Sequence, residues 1–506
     1  MKRKIVSLLL TAALCAGLAV PAAALTPADI SGGAPSGIAE DDTALMVTDT
    51  FNKVVWRIED GEVSRFAGQI SVPGLDGEPV GKYEDGTLDT ALFMEPWAIA
   101  PFLDGWAVSD AAANVIRYID DSGVRTAAGS GKAGKADGVG KRVSFDRPTG
   151  LATGPDGSLY IADTGNGCIR KMDTKGKVTI ILSALSDPTG LCWADGALYI
   201  AETGCSRILR YTDGRTEVLA GDSEYLGDGE YEGGYVDGPV EKARFDHPQG
   251  VAVGDDGTVY IADTGNHAVR RLVDGRVTTM ASAGQTLQGP VQPRGMRLQG
   301  NTLVVTDLFA QNLLTLSTSP VSYRDVPENA WCAEAVRQAT ERWLTAGTGD
   351  GNFAPNAPVT RAMFVVMLSR LHQGTDGGAV IDGSSTFADV PTDAWYASAA
   401  RWAADQQIVL GDNGSFRPSA DITREALATL LYRYAVFMGF DTSARADLSR
   451  FSDASGVSDY AADAMSWAVA EGIISGKTDG TLAPKGTATR AQTAKMLVAF
   501  MDALGI

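Results

Sequence analysis

Short apolar runs that end in an acidic residue recur through the first part of the chain. The clearest are Leu159–Asp163 and Val259–Asp263, each followed by a Thr-Gly-Asn turn and an aliphatic-Arg pair. Apolar runs of this length between turn residues are typical of β-strands. Aligned on the aliphatic-Arg position, the acidic residue occurs six times, at Asp49, Asp110, Asp163, Glu202, Asp263 and Asp307.

Asp-Gly hairpin turns separate these runs, as at Asp156-Gly157 and Asp256-Gly257. Six four-stranded units of this kind predict an all-β, six-bladed propeller over residues 25–318. The repeat resembles the NHL family, most strongly in the two Asp-Thr-Gly-Asn copies. Units two, four and six depart from it, with Ala113, Cys205 and Ala310 in place of Asn. We interpret the acidic residues as acceptors for turn N–H groups, with a ligand role as the alternative.

A second repeat, with helical character, fills the remainder of the chain. An aromatic residue and an Asp precede a helical run, a Gly-x-Phe/Leu-x-Pro turn and a Thr-Arg pair, and the unit recurs about every 64 residues from Asp325 to Asp389 to Asp453. A repeat of this length indicates one folding unit built three times, with neighbours sharing a core. We therefore expect a multidomain protein whose second part, residues 319–506, is mainly α-helical.

The second repeat resembles the S-layer homology module, with copies at about 321–373, 385–438 and 449–502. The Thr-Arg segments at Thr360-Arg361, Thr423-Arg424 and Thr489-Arg490 are the most specific part of this resemblance. It implies non-covalent attachment to a bacterial cell wall through pyruvylated secondary cell-wall polysaccharide. The expected location is therefore secreted, at the cell surface.

The Thr-Arg pairs are the candidate polysaccharide site. Thr can cap a helix, and Thr489 with Gln492 has the spacing of a capping box. An Arg in the first turn opposes the helix dipole, so three such residues suggest an anionic ligand such as a pyruvate carboxylate. The alternative is that each Arg bonds to a carbonyl or an Asp of the adjacent repeat. The candidate residues are Arg361, Arg424, Arg490, Thr423, Thr489, Asp389, Asp453 and Trp395.

The three copies differ in their aromatic residues. Repeat two has Trp395, Tyr396 and Trp402, whereas repeat one has Cys332 and Gln338 at the last two positions, and repeat three has Asp459 followed by Tyr460 and Trp467. The groove of repeat one is the candidate for degeneration, which ranks Arg424 above Arg361 in binding. Helical spacing assigns these aromatic residues to the core more readily than to sugar stacking.

One loop design interrupts the first repeat three times. Asp-Gly, Phe and Pro keep fixed spacing in Asp85–Pro96, Asp137–Pro148 and Asp237–Pro248. We expect Phe to fill a blade junction and Pro to start the innermost strand. Because propellers bind through such loops, an unknown protein or glycan is the expected partner, although solvated loops without a ligand are the alternative. The candidate residues are Tyr225, Tyr231, Tyr235, Lys135 and Arg142.

The N-terminus and the charge limit the remaining possibilities. Lys2-Arg3-Lys4, an apolar stretch and Ala22-Ala23-Ala24 predict a signal peptide at residues 1–24, with no membrane insertion after cleavage. The net charge of −19 makes nucleic acid a poor partner. Among Cys168, Cys192 and Cys205 one disulfide is an option, and buried thiols are the other.

Catalysis has little support in the sequence. Some propellers of this type are metal-dependent lyases or lactone hydrolases, but the chain has three His residues and no nucleophile or phosphate-loop motif. We therefore expect no catalytic residue, no metal ligand and no cofactor, and leave open an axial Ca²⁺ site made of carboxylates. A binding module on the wall is the main hypothesis, and a wall-displayed enzyme is the alternative.

Overall fold

The computed structural model describes residues 33–504 except 42, 71–80, 222, 224, 228–229, 232, 283–291, 343, 350 and 377–386. For 225–227, 230 and 373–376 the backbone is described without side chains. The predicted signal peptide, residues 1–24, lies outside the described residues. The chain forms two compact units that divide between Ser319 and Pro320.

The first unit is a ring of six antiparallel sheets, which confirms the predicted six-bladed propeller. A two-stranded ribbon lies between the fourth and fifth sheets. In chain order the strands are β1 (Pro35–Glu40), β2 (Leu45–Asp49), β3 (Val54–Glu59), β4 (Glu62–Ala67); β5 (Pro96–Phe102), β6 (Gly105–Asp110), β7 (Val115–Asp120), β8 (Gly123–Ala128); β9 (Gly138–Val139), β10 (Pro148–Thr153), β11 (Leu159–Asp163), β12 (Cys168–Met172), β13 (Lys177–Ser183); β14 (Pro188–Ala194), β15 (Ala197–Glu202), β16 (Arg207–Thr212), β17 (Arg215–Ala220); the ribbon β18 (Tyr225–Gly227), β19 (Glu230–Tyr231); β20 (Gly238–Pro239), β21 (Gly250–Val253), β22 (Val259–Asp263), β23 (Ala268–Val273), β24 (Arg276–Ser282); β25 (Pro293–Gln299), β26 (Thr302–Asp307), β27 (Asn312–Ser317).

The strand number per blade differs from the predicted four in three blades. Blades three and five gain a fifth, outermost strand, because Gly138 of the preceding loop pairs with Val178 and Gly238 pairs with Val277. Among the described residues, blade six has three strands, since the chain passes from β27 into the second unit. The acidic repeat marks the second strand of every blade, but it does not predict how many strands lie at the outer edge of the sheet.

The innermost strands close the ring. β1, β5, β10, β14, β21 and β25 contact one another in that order, and β25 contacts β1. A hydroxyl beside each acidic residue bonds to a carbonyl on the next innermost strand at 2.5 to 2.8 Å, from Thr48, Ser109, Thr164, Thr203, Thr264 and Thr306. The strands lie so close that a Cβ on Gly150 would be 1.9 Å from the Thr189 carbonyl oxygen. The hydroxyl bonds and the small residues together form the ring closure.

Three buried arginines join the loops to blades two, three and five. In blade three, Arg170 is fully buried and contacts Asp163 of its own sheet and Asp137 of the preceding loop, both at 2.7 Å. Its guanidinium lies 5.2 Å from the centroid of the buried Phe145 ring. Arg117 and Arg270 repeat this arrangement. The three loops therefore brace the blades, as the predicted burial of Phe suggested.

The second unit is mainly helical. Its helices are α1 (Ala333–Glu341), α2 (Arg361–Asp376), α3 (Ala397–Asp405), α4 (Arg424–Phe437), α5 (Ala462–Ala470) and α6 (Arg490–Leu504). The first helix of repeat one packs on α6 of repeat three, and α5 of repeat three packs on α4 of repeat two. Fully buried Tyr434, Trp467 and Phe500 meet between α4, α5 and α6. The repeats therefore share one core, as the sequence predicted.

The Asp of each repeat clamps the Gly-x-Phe/Leu-x-Pro turn of the same repeat. Asp453 accepts hydrogen bonds from the backbone N–H groups of Leu482 and Ala483, both at 2.8 Å. Asp325 and Asp389 bind their turns in the same way. The clamp holds Ala483 at φ 49°, a left-handed conformation that is unfavourable before Pro. Asp389 and Asp453 therefore have a structural role in the turns.

These clamps predict a dependence of stability on acid pH. The hydrogen bond from Leu482 lowers the pKa of Asp453 below its usual value. A carboxyl whose folded-state pKa is depressed stabilises the fold above its unfolded pKa, and this stability is lost as pH falls through the folded pKa. We expect the urea midpoint of the helical unit to be constant from pH 7 to 5 and to fall below about pH 4. Asp453→Asn should reduce this fall, whereas the exposed Asp502→Asn should leave it unchanged; equal acid curves for all three proteins would contradict the clamp.

Candidate functional site

All three Thr-Arg pairs begin helices, as predicted. α2, α4 and α6 start at Arg361, Arg424 and Arg490, and the preceding Thr accepts a hydrogen bond from the first turn in each. Thr489 and Gln492 also form the predicted capping box, with the Gln492 Oε1 accepting from the Thr489 N–H at 3.4 Å. The Thr residues thus have a local structural explanation that needs no ligand.

The three arginines link the repeats in a closed cycle. Arg361 donates from Nε to the Phe416 carbonyl, Arg424 to the Leu482 carbonyl and Arg490 to the Phe353 carbonyl, at 2.7 to 2.9 Å. Each acceptor lies in the turn of the next repeat, and repeat three returns to repeat one. All three arginines therefore bond to carbonyl oxygens of a neighbouring repeat, as the alternative interpretation proposed. This weakens the argument that their position at the helix starts requires an anionic ligand.

The three arginines differ in the number of hydrogen bonds that their side chains donate. Arg424 is 6% exposed and donates a second bond from Nη2 to the Ser475 carbonyl, and Arg490 likewise bonds Ala346. Among the described residues, the only hydrogen bond of the Arg361 side chain is the one from Nε. Arg361 is half-buried and stacks 5.3 Å from the centroid of the Phe416 ring. Its Nη groups are therefore available to a ligand, whereas Arg424 is committed to the fold.

Further cations and a tyrosine surround Arg361. Burial lowers the pKa of Arg361; Tyr460 and Asp389 oppose this shift, whereas Arg417 and Arg433 reinforce it. Partial burial and a hydrogen bond to Glu425 raise the pKa of Tyr460 to about 12, so its hydroxyl stays protonated. We call Arg361, Arg417, Arg433 and Tyr460 the arginine cleft. Arg417 is paired with Asp412 at 2.5 Å, so Arg361 and Arg433 supply the cationic charge that no described carboxylate pairs with directly. This charge suits an anionic ligand.

A buried charge cluster borders the arginine cleft. Glu425, 2% exposed, accepts hydrogen bonds from Ser458, from the Tyr460 hydroxyl at 3.0 Å and from Lys485 Nζ at 2.7 Å. Burial tends to raise the pKa of Glu425, but the Lys485 bond and its other donors bring it below the usual value. Repeats one and three have Ala362 and Ala491 at this position, so the cluster is specific to one junction. The residues predicted from the sequence for this site do not include Glu425.

The aromatic residues divide into core and surface. Trp402 and Trp467 are buried, which confirms the core prediction for them. Trp395 is 65% exposed and Tyr460 57% exposed, so for these two the core prediction is wrong. Trp395 packs edge-on against Tyr396, with the ring centroids 5.3 Å apart. Helical spacing did not distinguish the exposed from the buried aromatic residues, because Trp395 precedes α3 and Tyr460 precedes α5, so neither lies on the packing face of a helix.

The candidate residues of the propeller loops also differ in exposure and in the partners that they contact. Lys135 and Arg142 are exposed, and Lys135 Nζ bonds the Asn166 carbonyl at 3.0 Å. Tyr235 stacks 4.8 Å from the Arg270 guanidinium and bonds Thr279, so it belongs to the brace of blade five. Tyr231 lies on the ribbon β18–β19, half-buried, while the side chain of Tyr225 lies outside the described residues.

The six acidic residues of the propeller are structural. All are buried and accept backbone N–H groups of the preceding loop, for example Asp163 from Asp146 at 2.7 Å and Asp263 from Asp246 at 2.8 Å. Within the described part of the chain, no three His, Cys, Asp or Glu residues are arranged to hold a metal ion. Cys168, Cys192, Cys205 and Cys332 are free thiols, and burial raises the pKa of Cys168 to about 11.

Comparison with known proteins identifies both repeats. The S-layer homology domain matches residues 322–363, 386–428 and 450–494, and the NHL repeat matches 145–172 and 245–272. The NHL matches cover the two blades that carry the Asp-Thr-Gly-Asn turns.

Curated relatives resemble part of this chain. An amylopullulanase of Thermoanaerobacterium thermosulfurigenes is 30% identical over 36% of this chain and 10% of its own length. A cellulosome-anchoring protein of Acetivibrio thermocellus is 25% identical over 36% of this chain and 39% of its own length. The matches span less than a fifth of the first relatives' own length.

A solved virginiamycin B lyase from Staphylococcus aureus aligns over 56% of this chain and 95% of its own, with 14% identity and a TM-score of 0.38. No helix in the described part of the chain is long and apolar enough to cross a membrane. The fold and the two family matches together show that the chain carries an NHL-type six-bladed propeller and three S-layer homology modules, and the modules indicate a bacterial cell-surface location.

Proposed function

We propose that the chain is exported and held on the cell wall by its helical unit, which binds acidic secondary cell-wall polysaccharide, while the propeller displays a binding surface. The observation that carries the anchoring proposal is the arginine cleft, where Arg361 keeps its Nη groups free of hydrogen bonds among the described residues. Relatives named for cellulosome anchoring and for a surface layer support the same role.

The ligand chemistry follows from the cleft. A pyruvate ketal carries one carboxylate, which a planar guanidinium binds through two parallel hydrogen bonds. Arg433 adds positive charge, Arg417 adds a cation that is paired with Asp412, and Tyr460 supplies a neutral aromatic and hydroxyl surface at the same junction. A pyruvylated, and therefore anionic, sugar fits this combination better than an uncharged one.

The structure reverses the predicted ranking of the two arginines, because Arg361 rather than Arg424 has side-chain donors available to a ligand. Arg361→Ala should weaken binding to purified polysaccharide about 10- to 100-fold, because it removes a charge-assisted contact. Arg424→Ala should mainly lower the melting temperature, since the buried Leu482 carbonyl and the Ser475 carbonyl lose their donor. Calorimetric titration and thermal melts of both variants separate the two effects. A greater loss of affinity in Arg424→Ala, with an unchanged melt, would place the site at repeat two instead.

For the propeller, we propose a non-enzymatic binding surface on the ribbon β18–β19 and the basic loop that contains Lys135 and Arg142. The structural braces account for Asp, Phe and Pro of the loops but not for the exposed Lys135 and Arg142 or the half-buried Tyr231. Shortening the segment between Gly221 and Gly234 should leave the melting temperature within about 1–2 °C and abolish capture of a surface partner by crosslinking on cells.

Two results would contradict the propeller proposal. Capture that survives the shortened segment would place the binding surface elsewhere. Hydrolysis of a lactone or ester by the purified chain, with a stoichiometric metal, would favour the enzyme alternative instead.

A further inference from the structure

The ring of innermost strands holds one unusual group of side chains. Five innermost strands begin with a Pro, and the sixth, β21, begins two residues after Pro248. The residue after that Pro occupies an equivalent position in each blade: Ser36, Trp97, Thr149, Thr189, Gln249 and Arg294. Thr149 and Thr189 bond to hydroxyls of their own blade and to the next strand. The three long side chains, Trp97, Gln249 and Arg294, are called the axial cluster below.

Two members of the axial cluster meet across the ring. Arg294 lies on β25 and Trp97 on β5, strands that both contact β1 and are separated by it. The guanidinium carbon of Arg294 is nevertheless 4.3 Å from the centroid of the Trp97 ring. Side chains of strands that are not neighbours can touch in this way only through the space that the six strands enclose. The small Ser36 on β1, at the same register, leaves room for this contact.

Arg294 and Gln249 both have buried polar atoms without partners. The Nε of Arg294 and the Oε1 of Gln249 are buried and accept or donate no hydrogen bond. No ion pair or hydrogen bond links Arg294 to another described residue. Burial lowers the pKa of Arg294 to about 10, although Glu95 works against this shift. Buried polar groups are nearly always satisfied. The Nε atoms of Arg117 and Arg170 are also unpaired, but those arginines have ion pairs that account for their burial, whereas Arg294 has none among the described residues. Gln249 on the adjacent strand adds an unpaired acceptor.

The mouth of the ring next to this cluster is strained. The residues that precede the innermost-strand Pro in blades three, four and five are Arg147, Asp187 and His247, with φ of 50°, 42° and 47°. A left-handed conformation is unfavourable for a residue before Pro. All three side chains are exposed, and Arg147 Nη2 lies 3.6 Å from Glu95 Oε1. Such strain concentrates where residues are held for ligands.

We propose that the axial cluster binds a small monocarboxylate that also carries a hydroxyl group, such as a sugar acid. The carboxylate would accept from the Arg294 guanidinium, and the hydroxyl would donate to Gln249 Oε1. Trp97 holds the guanidinium in position by stacking. A carboxylate alone would leave Gln249 unpaired, and an uncharged sugar would leave the Arg294 charge uncompensated. This proposal concerns the propeller and does not depend on wall attachment.

Calorimetric titration of the full chain with glucuronate tests the proposal. We expect measurable binding of glucuronate and none of glucose or inorganic phosphate. Arg294→Met and Gln249→Glu should each weaken glucuronate binding about 10- to 100-fold, because the first removes the cation and the second places a carboxylate beside the ligand's own. Arg297→Met, an exposed change on the same strand, should bind as the wild type does.

The test of the axial cluster requires folded variants as well as the three ligands. Melting curves establish that each variant is folded, and Gln249→Glu keeps the proposal testable if Arg294→Met fails to fold. Absence of glucuronate binding by the wild type, equal affinity for phosphate, or unchanged affinity in the folded variants would each overturn the assignment.

Discussion

Replacing the buried Arg170 by Met is expected to destabilise the propeller by about 3–5 kcal/mol. Arg170 is the counter-ion of Asp163, which is fully buried, and of Asp137, and it also donates to the Ala136 and Ser144 carbonyls. Methionine fills similar space but leaves the Asp163 carboxylate uncompensated in the interior. For a unit of this size the melting temperature should fall by on the order of 10 °C.

The neighbouring Lys171 provides a matched control. It lies on the same strand as Arg170 and pairs with Asp156 at 2.8 Å, but both side chains are partly exposed. Lys171→Met should therefore cost less than about 1 kcal/mol. Calorimetric melts of the two variants compare a buried with an exposed ion pair in one blade. If both melt like the wild type, the loops do not brace the blades through arginine.

Removing the residues after Ser319 is expected to abolish attachment to the cell wall. All three Thr-Arg helix starts and the arginine cleft lie in the part that is removed, and the described contacts divide the chain at this point. The remaining propeller keeps every strand from β1 to β27, so its far-ultraviolet circular dichroism should show β-structure. Sedimentation with purified sacculi should leave the truncated chain in the supernatant and bring the intact chain into the pellet.

The pattern of short apolar runs predicted the propeller because every blade has the same local requirement at the end of its second strand. An acidic residue must satisfy the turn beside it, so Asp163 and Asp263 recur at fixed positions whatever the remaining sequence. The Thr-Arg pairs predicted helix starts for a similar reason, since a cap acts within one turn. These signals are local, and residues near one another in sequence determine them.

What the sequence could not show depends on contacts between distant residues. Arg361, Arg424 and Arg490 each follow a Thr at a helix start, yet their second hydrogen bonds differ, because the acceptors Ser475 and Ala346 come from other repeats. The expected rank of Arg424 above Arg361 relied on aromatic residues nearby in sequence. The contact of Arg294 with Trp97 is equally hidden, because it requires the ring to close.

The most direct test of the anchoring account is sedimentation of the intact chain with sacculi before and after mild acid hydrolysis of the pyruvate ketals. The intact chain is expected to enter the pellet with untreated sacculi and to stay in solution with treated ones, because the ligand proposed for the arginine cleft is the carboxylate of the ketal. Equal sedimentation with both preparations would contradict the anchoring account.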